Sequence, residues 1–183
     1  MTANKFSLNN FSHFSLTSWI ITDRVGIPLC THASSVDKAT RLVHANALLV
    51  QLNSAIKFSH SKRICHCDIR PANIVVIAES KGVFRYVLID WGLARAPGDA
   101  AHSHLGGILY FHDDIIVQEY RIENDRQILP YRCEFDIQAV TYNALAFAFS
   151  KNSNLLPPWA NEDGDKDLIE SRKEFCSEHI LKK

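Results

Sequence analysis

Two β-type runs, Ile74–Ala78 and Phe84–Ile89, stand out from the apolar and polar pattern of the chain. They are joined by a polar, glycine-containing tip of Glu79, Ser80, Lys81 and Gly82. Short apolar runs bounded by turn formers predict a β-hairpin with a short loop. Upstream, Leu42, Val43, Ala45, Leu48, Leu49, Leu52, Ala55 and Ile56 recur at helical spacing. That spacing predicts an amphipathic helix of about five turns from Ala39 to Phe58, with Ser34 or Ser35 capping a start near Val36 and Asp37. Downstream, Cys133-Glu134-Phe135-Asp136 opens a segment, Ile137 to Phe149, that is apolar on nearly every face. A helix apolar all round belongs in the middle of a core.

The remaining stretches are less patterned. Trp19–Thr22 reads as a short strand running into a turn over Asp23–Leu29, and Leu93–His104, small and polar, as a mobile loop. Leu155–Trp159 reads as a stop and a loop, and residues 167–183 as a final amphipathic helix. The acidic stretch Asn161–Asp167 lacks the Glu of a calcium loop and reads as a solvated turn. Residues 1–15 carry no assigned element, and no repeat or low-complexity block interrupts the chain.

Composition narrows the class. A chain of 183 residues can bury one real core, and 46% hydrophobic with 22% charged residues is ordinary for a globular domain. Twenty basic and twenty acidic residues cancel, so neither nucleic acid nor an anionic membrane is expected as a partner. No apolar run approaches the length of a membrane span, and no apolar stretch follows a basic head at the start, so a secretory signal is not expected. Five cysteines in no paired pattern fit a reducing compartment, which makes an intracellular location, cytoplasm or nucleus, the expectation.

The chemistry concentrates at the hairpin. His66, Asp68 and Asn73 precede its first strand and Asp90 follows its second, so the fold-back brings them to one edge. Two carboxylates and an amide there suit a hard cation shared with substrate phosphates. Cys65-His66-Cys67 invites a zinc reading, but Cys-x-Cys around a His chelates poorly and no second pair follows, so zinc is not expected on that tripeptide. His44 and His60, on or beside the long helix, are expected as surface or capping residues rather than ligands.

The segment His66-Cys67-Asp68-Ile69-Arg70-Pro71-Ala72-Asn73 resembles the protein-kinase catalytic loop, H-R-D-x-K-P-x-N, and Asp90-Trp91-Gly92 resembles the D-F-G motif. The resemblance implies that Asp68 is the catalytic base and that Asn73 and Asp90 hold magnesium against the phosphates of ATP. It implies that Arg70, where the family usually has Lys, neutralises the transferred phosphoryl group, and that Val75 forms part of the adenine floor. His66 would pack under the loop. Asp136 would hold the catalytic-loop backbone, although a simple helix cap predicts the same residue there. Trp19–Leu29 is similar to the last small-lobe strand and hinge, and Gly106–Ile116 is loosely similar to the end of an activation segment. Cys67 replaces the Arg that pairs with an activation-loop phosphate, which implies activity without loop phosphorylation. The wording Ile69-Arg70-Pro71 and Ile89-Asp90-Trp91-Gly92 is similar to divergent kinase-like domains of fungal and Crinkler-type effectors.

None of the seven glycines forms a Gly-rich phosphate loop, and no strand lysine of the V-A-I-K kind precedes Trp19. The expected fold is therefore α+β and mostly helical. It would be a kinase-like large lobe with a small catalytic-site β-hairpin over residues 16–183, its small lobe largely missing. The expected function is ATP- and magnesium-dependent phosphorylation of protein hydroxyls, incomplete in this chain. The alternatives are a non-catalytic kinase remnant serving as an interaction module, and a small-molecule phosphotransferase sharing the Asp…Asn…Asp pattern. The expected partners are a protein substrate and a partner chain covering the place of the missing lobe.

Overall fold

The computed structural model describes residues 26–99, 130–150, 155 and 168–179. In chain order the elements are β1 (Ile27–Pro28), α1 (Leu29–Ser35), α2 (Arg41–Ser61), β2 (Ile74–Ser80), β3 (Val83–Leu88), α3 (Cys133–Phe149) and α4 (Leu168–His179). Short 3-10 turns at Pro71–Asn73 and Trp91–Leu93 flank the hairpin.

The hairpin forms where its alternation predicts it. Ile74 pairs with Leu88 and Val76 with Tyr86, and these four side chains are buried while Val75, Ile77 and Val87 are half-buried. Period-2 alternation thus assigns one face to the core. The strands run further into the tip than expected, to Ser80 and from Val83, with a register shift between Ala78 and Ser80. Gly82, at φ 78°, supplies the left-handed residue the remaining turn needs. A third strand joins the pair: β1 lies antiparallel to β2, Ile27 opposite Val76 and Pro28 opposite Val75. Pro cannot donate to a ladder, so it fits only at such an edge. The sheet is therefore three-stranded, not a lone hairpin. The expected strand Trp19–Thr22 and the activation-segment resemblance at Gly106–Ile116 lie outside the described residues.

The long helix forms, but its start and its buried stripe differ from expectation. Ser34 and Ser35 close α1 instead of capping α2, their hydroxyls donating to the carbonyls of Cys30 and His32. Asp37 holds the turn before α2, accepting from the Ala39 amide at 3.4 Å. The buried side of α2 is Arg41, Ala45, Leu48, Leu52, Ile56 and Ser59, an i, i+3/i+4 stripe. Leu42 and Val43 stand off that stripe and are 60% and 70% exposed. Arg41 is buried because its guanidinium donates to the carbonyls of Ser150 at 2.8 Å and Ala33 at 3.3 Å, which ties α2 to the ends of α1 and α3.

One core joins these elements: Leu48, Leu52 and Ile56 of α2, Ile74 and Val76 of β2, Leu88 of β3, and Val140 and Phe147 of α3. Helix α3 is the central one, burying Phe135, Ala139, Val140, Ala144 and Phe147, although Ile137 and Phe149 at its margins are about a third exposed. His44 is not a surface residue. Its Nδ1 lies 3.2 Å from Nε2 of His32 and 3.0 Å from the Tyr86 hydroxyl, and both rings pack on Phe84 and Phe147. Among the described residues no helix is long and apolar enough to cross a membrane.

Candidate functional site

The loop from Cys65 to Asn73 runs between α2 and β2 and is buried from Cys65 through Ile69. A buried loop must find partners for its backbone groups, and α3 supplies three of them, through Asp136 and Asn143. Asp136, itself fully buried, accepts the amides of His66 at 2.7 Å and Cys67 at 3.0 Å, one on each oxygen. The same carboxylate accepts from the Tyr131 hydroxyl at 2.9 Å and meets Nε2 of His60 at 2.9 Å. The cap of α3 is Arg132, which makes no side-chain cap bond. Asp136 is thus a loop anchor rather than a helix cap.

Three further ties complete the mounting. Asn143 donates to the Ile69 carbonyl at 3.1 Å. Cys65 and Arg95 exchange both backbone hydrogen bonds, at 2.8 and 3.0 Å. The Ile89 amide donates to the Asn73 carbonyl at 2.9 Å, so the loop and the Asp90 turn are joined at the root of the hairpin. The Arg95 pairing also fixes the first part of the expected mobile loop; the part from Ala100 on lies outside the described residues.

His66 is fully buried, its ring 4.5 Å from that of Trp91. Its Nε2 lies 3.0 Å from the Ile89 carbonyl, which can only accept, so Nε2 carries the hydrogen. Nδ1 is then the acceptor for the Asp68 amide at 3.3 Å. Desolvation lowers the pKa of His66 below the usual imidazole range, against the opposing pull of Asp136, the Ile89 carbonyl bond, Asp68 and Asp90. A neutral ring with both nitrogens committed is a structural spacer.

Asp68 and Asn73 meet directly: Nδ2 of Asn73 donates to Oδ2 of Asp68 at 2.7 Å and to its carbonyl at 2.9 Å. Arg70 Nε lies 3.3 Å from the same Oδ2, close enough for an ion pair but not aligned to donate. Asp68 is 2% exposed, and its Oδ1 is buried without a hydrogen-bond partner among the described residues. Asp90 is exposed and left-handed at φ 61°, its Oδ1 accepting from the Gly92 amide at 3.4 Å. Asp90 also lies near enough to act electrostatically on His66. Val75 sits half-buried on β2 between Pro28 and Val87. The structure thus gathers His66, Asp68, Arg70, Asn73 and Asp90 at the hairpin root, with Val75 one residue beyond Ile74.

Cys67 is buried with φ 67°, a left-handed conformation costing a non-glycine residue roughly 1–2 kcal/mol. Its amide bond to Asp136 holds it there. Burial, then the Asp136 charge, pushes its thiol up to about 12. Sequence reasoning missed Asn143 and Tyr131, and it expected His60 to be a surface or capping residue where the structure half-buries it against Asp136. An asparagine inside an otherwise apolar helix was the available signal for the first; Tyr131 and His60 carried none.

Against known proteins, residues 16–127 match the family model for the protein kinase domain. The Saccharomyces cerevisiae serine/threonine-protein kinase KSP1 is 29% identical over 122 residues, 66% of this chain and 11% of that protein. Serine/threonine-protein kinase PknJ of Mycobacterium tuberculosis is 31% identical over 80 residues, 43% of this chain and 14% of that protein. The rat serine/threonine-protein kinase DCLK1 is 35% identical over 74 residues, 40% of this chain and 17% of that protein. The chain therefore spans less than a fifth of the length of these relatives. With the family model covering more than half of its residues, the chain belongs to the protein kinase domain family.

Proposed function

We propose that this chain carries the large-lobe half of a kinase-type phosphotransferase that uses ATP and magnesium to phosphorylate protein hydroxyls. The observation that carries the reading is the pairing of Asp68 with Asn73 beside Asp90, on a loop anchored by Asp136. Asp68 accepts the proton of the incoming hydroxyl through Oδ1, the oxygen with no hydrogen-bond partner among the described residues. Asn73 and Asp90 would hold magnesium through one amide and one carboxylate oxygen, a hard-donor set suited to that ion. Magnesium would neutralise the charge building on the transferred phosphoryl group. Arg70, already beside Asp68, would offer that group a planar, permanently charged fork. Val75 supports the adenine ring from β2. The sequence contains no Gly-rich loop, so full turnover needs a further segment or a partner chain to close over the phosphates.

A second reading, a non-catalytic interaction module, is favoured by two observations. Asp68 is almost wholly buried, and Cys67 stands where the family's phosphate-reading Arg would be. The two readings separate in a phosphoryl-transfer assay with radiolabelled ATP, magnesium and a mixed protein substrate. Transfer that disappears in both Asp68→Asn and Asp90→Asn supports the enzyme. No transfer above the level of those variants, even with a kinase small lobe supplied in trans, refutes it and leaves the module.

A further inference from the structure

Beneath the catalytic loop, three side chains from separate parts of the chain converge on one point. His60 comes from the last turn of α2, Cys65 from the start of the loop and Cys133 from the first residue of α3. One ring nitrogen of His60 and the two sulfurs all lie within 4.8 Å of one another. We propose that His60, Cys65 and Cys133 form a zinc site that staples the catalytic loop to the two long helices.

The geometry is that of a tetrahedron with small adjustment left to make. With zinc–sulfur bonds of about 2.3 Å, two thiolates on a tetrahedral ion stand about 3.8 Å apart. The sulfurs of Cys65 and Cys133 are 3.8 Å apart. Disulfide sulfurs stand about 2.05 Å apart, and both cysteines are free. The nitrogen–sulfur edge of such a tetrahedron is about 3.6 Å, so with all three atoms within 4.8 Å, closing the trio asks the His60 ring to move by about 1.2 Å at most.

Asp136 completes the arrangement from the second layer. Its Oδ2 lies 2.9 Å from Nε2 of His60. The tautomer that donates Nε2–H to this carboxylate keeps its lone pair on Nδ1. Ligation through Nδ1 leaves Nε2 on Asp136, and a carboxylate on the second ring nitrogen is how proteins orient a histidine that ligates zinc. Two thiolates and one imidazole are the soft and borderline donors zinc prefers over magnesium or calcium. Binding displaces one proton from each thiol and leaves a neutral Zn(Cys)2His unit, so no uncompensated charge is added beneath the loop. Cys65 is buried, whereas Cys133 and His60 are half-buried, which leaves the fourth position to water.

The test uses the full chain, stripped with a chelator and titrated with zinc or cobalt alone. The proposal expects one zinc retained per chain after desalting, and a thiolate-to-cobalt charge-transfer band that excess zinc abolishes. Cys133→Ala should bind zinc at least ten-fold more weakly and lose the band. Cys30→Ser, which removes a thiol on α1 outside the cluster, should keep both. A mass-mapped alkylation footprint of the unmutated chain guards against a variant that fails to fold: zinc should protect Cys65 and Cys133 but not Cys30. A folded chain without the cobalt band, undiminished binding by Cys133→Ala, or equal alkylation of Cys65 and Cys133 with and without zinc would each overturn the site.

Discussion

Replacing Asp136 should do more damage locally than any other single change to the loop. Its carboxylate takes hydrogen bonds from the His66 and Cys67 amides, the Tyr131 hydroxyl and His60. In Asp136→Ala the two amides lose their acceptor inside a buried loop. Each buried donor left unsatisfied costs about 1–3 kcal/mol, and the Tyr131 hydroxyl adds a third, so the loss should be about 3–9 kcal/mol. A domain of this kind has roughly 5–15 kcal/mol in total, so the variant is expected to be marginal. Cys67, at φ 67°, would also lose the tether offsetting its backbone strain, so the loop should open before the core does. Asp136→Asn keeps one acceptor but turns an NH2 toward donors, and it should fall between the two. Urea unfolding gives the global loss. Amide exchange over residues 64–69 separates a local opening from it, because α2 should stay protected when the loop does not. A change of under about 1 kcal/mol in Asp136→Ala, with the His66 and Cys67 amides still protected, would refute the anchoring role.

Two other outcomes follow from buried polar groups. Burial, then the neighbouring His44, lowers His32 from 6.5 to about 4, and burial lowers His44 as well. Both folded-state values lie below the unfolded one, so their contribution is present above about pH 6.5 and is lost as pH falls toward 4. For His32 alone the loss is about 3 kcal/mol by pH 4. His32→Phe should flatten that limb of a stability–pH curve, and an unchanged limb would contradict the assignment. Asn143→Ala removes the donor to the Ile69 carbonyl and should cost about 1–2 kcal/mol in urea unfolding, with faster exchange confined to the loop and its flanks. No loss of stability would mean that this bond is dispensable.

How much of this was readable beforehand depends on the range of the interaction. The hairpin was legible because alternation and a glycine turn are local signals, and the all-round apolar segment placed α3 at the centre. Strand β1 was not, because a two-residue strand containing Pro28 has no periodicity to detect. The stripe of α2 came out narrower because apolar composition does not say which side meets the sheet; Leu42 and Val43 look like core residues until Arg41 is seen to occupy the buried side. The resemblance placed Asp68, Asn73 and Asp90 together, and the structure adds the reason they stay together, the commitments of Asp136 and Asn143. The trio of His60, Cys65 and Cys133 was invisible because 68 residues separate its two cysteines. Only the docking of α3 on α2 brings them together.

The most direct test of the kinase-type site is the thermal unfolding midpoint with and without magnesium-ATP, measured on the chain and on Asp90→Asn. At about 100 times the dissociation constant, bound nucleotide should stabilise the fold by roughly 2.7 kcal/mol. The account predicts a clear upward shift that Asp90→Asn abolishes. Cooperative unfolding with no shift in the unmutated chain, or an equal shift in Asp90→Asn, would contradict it.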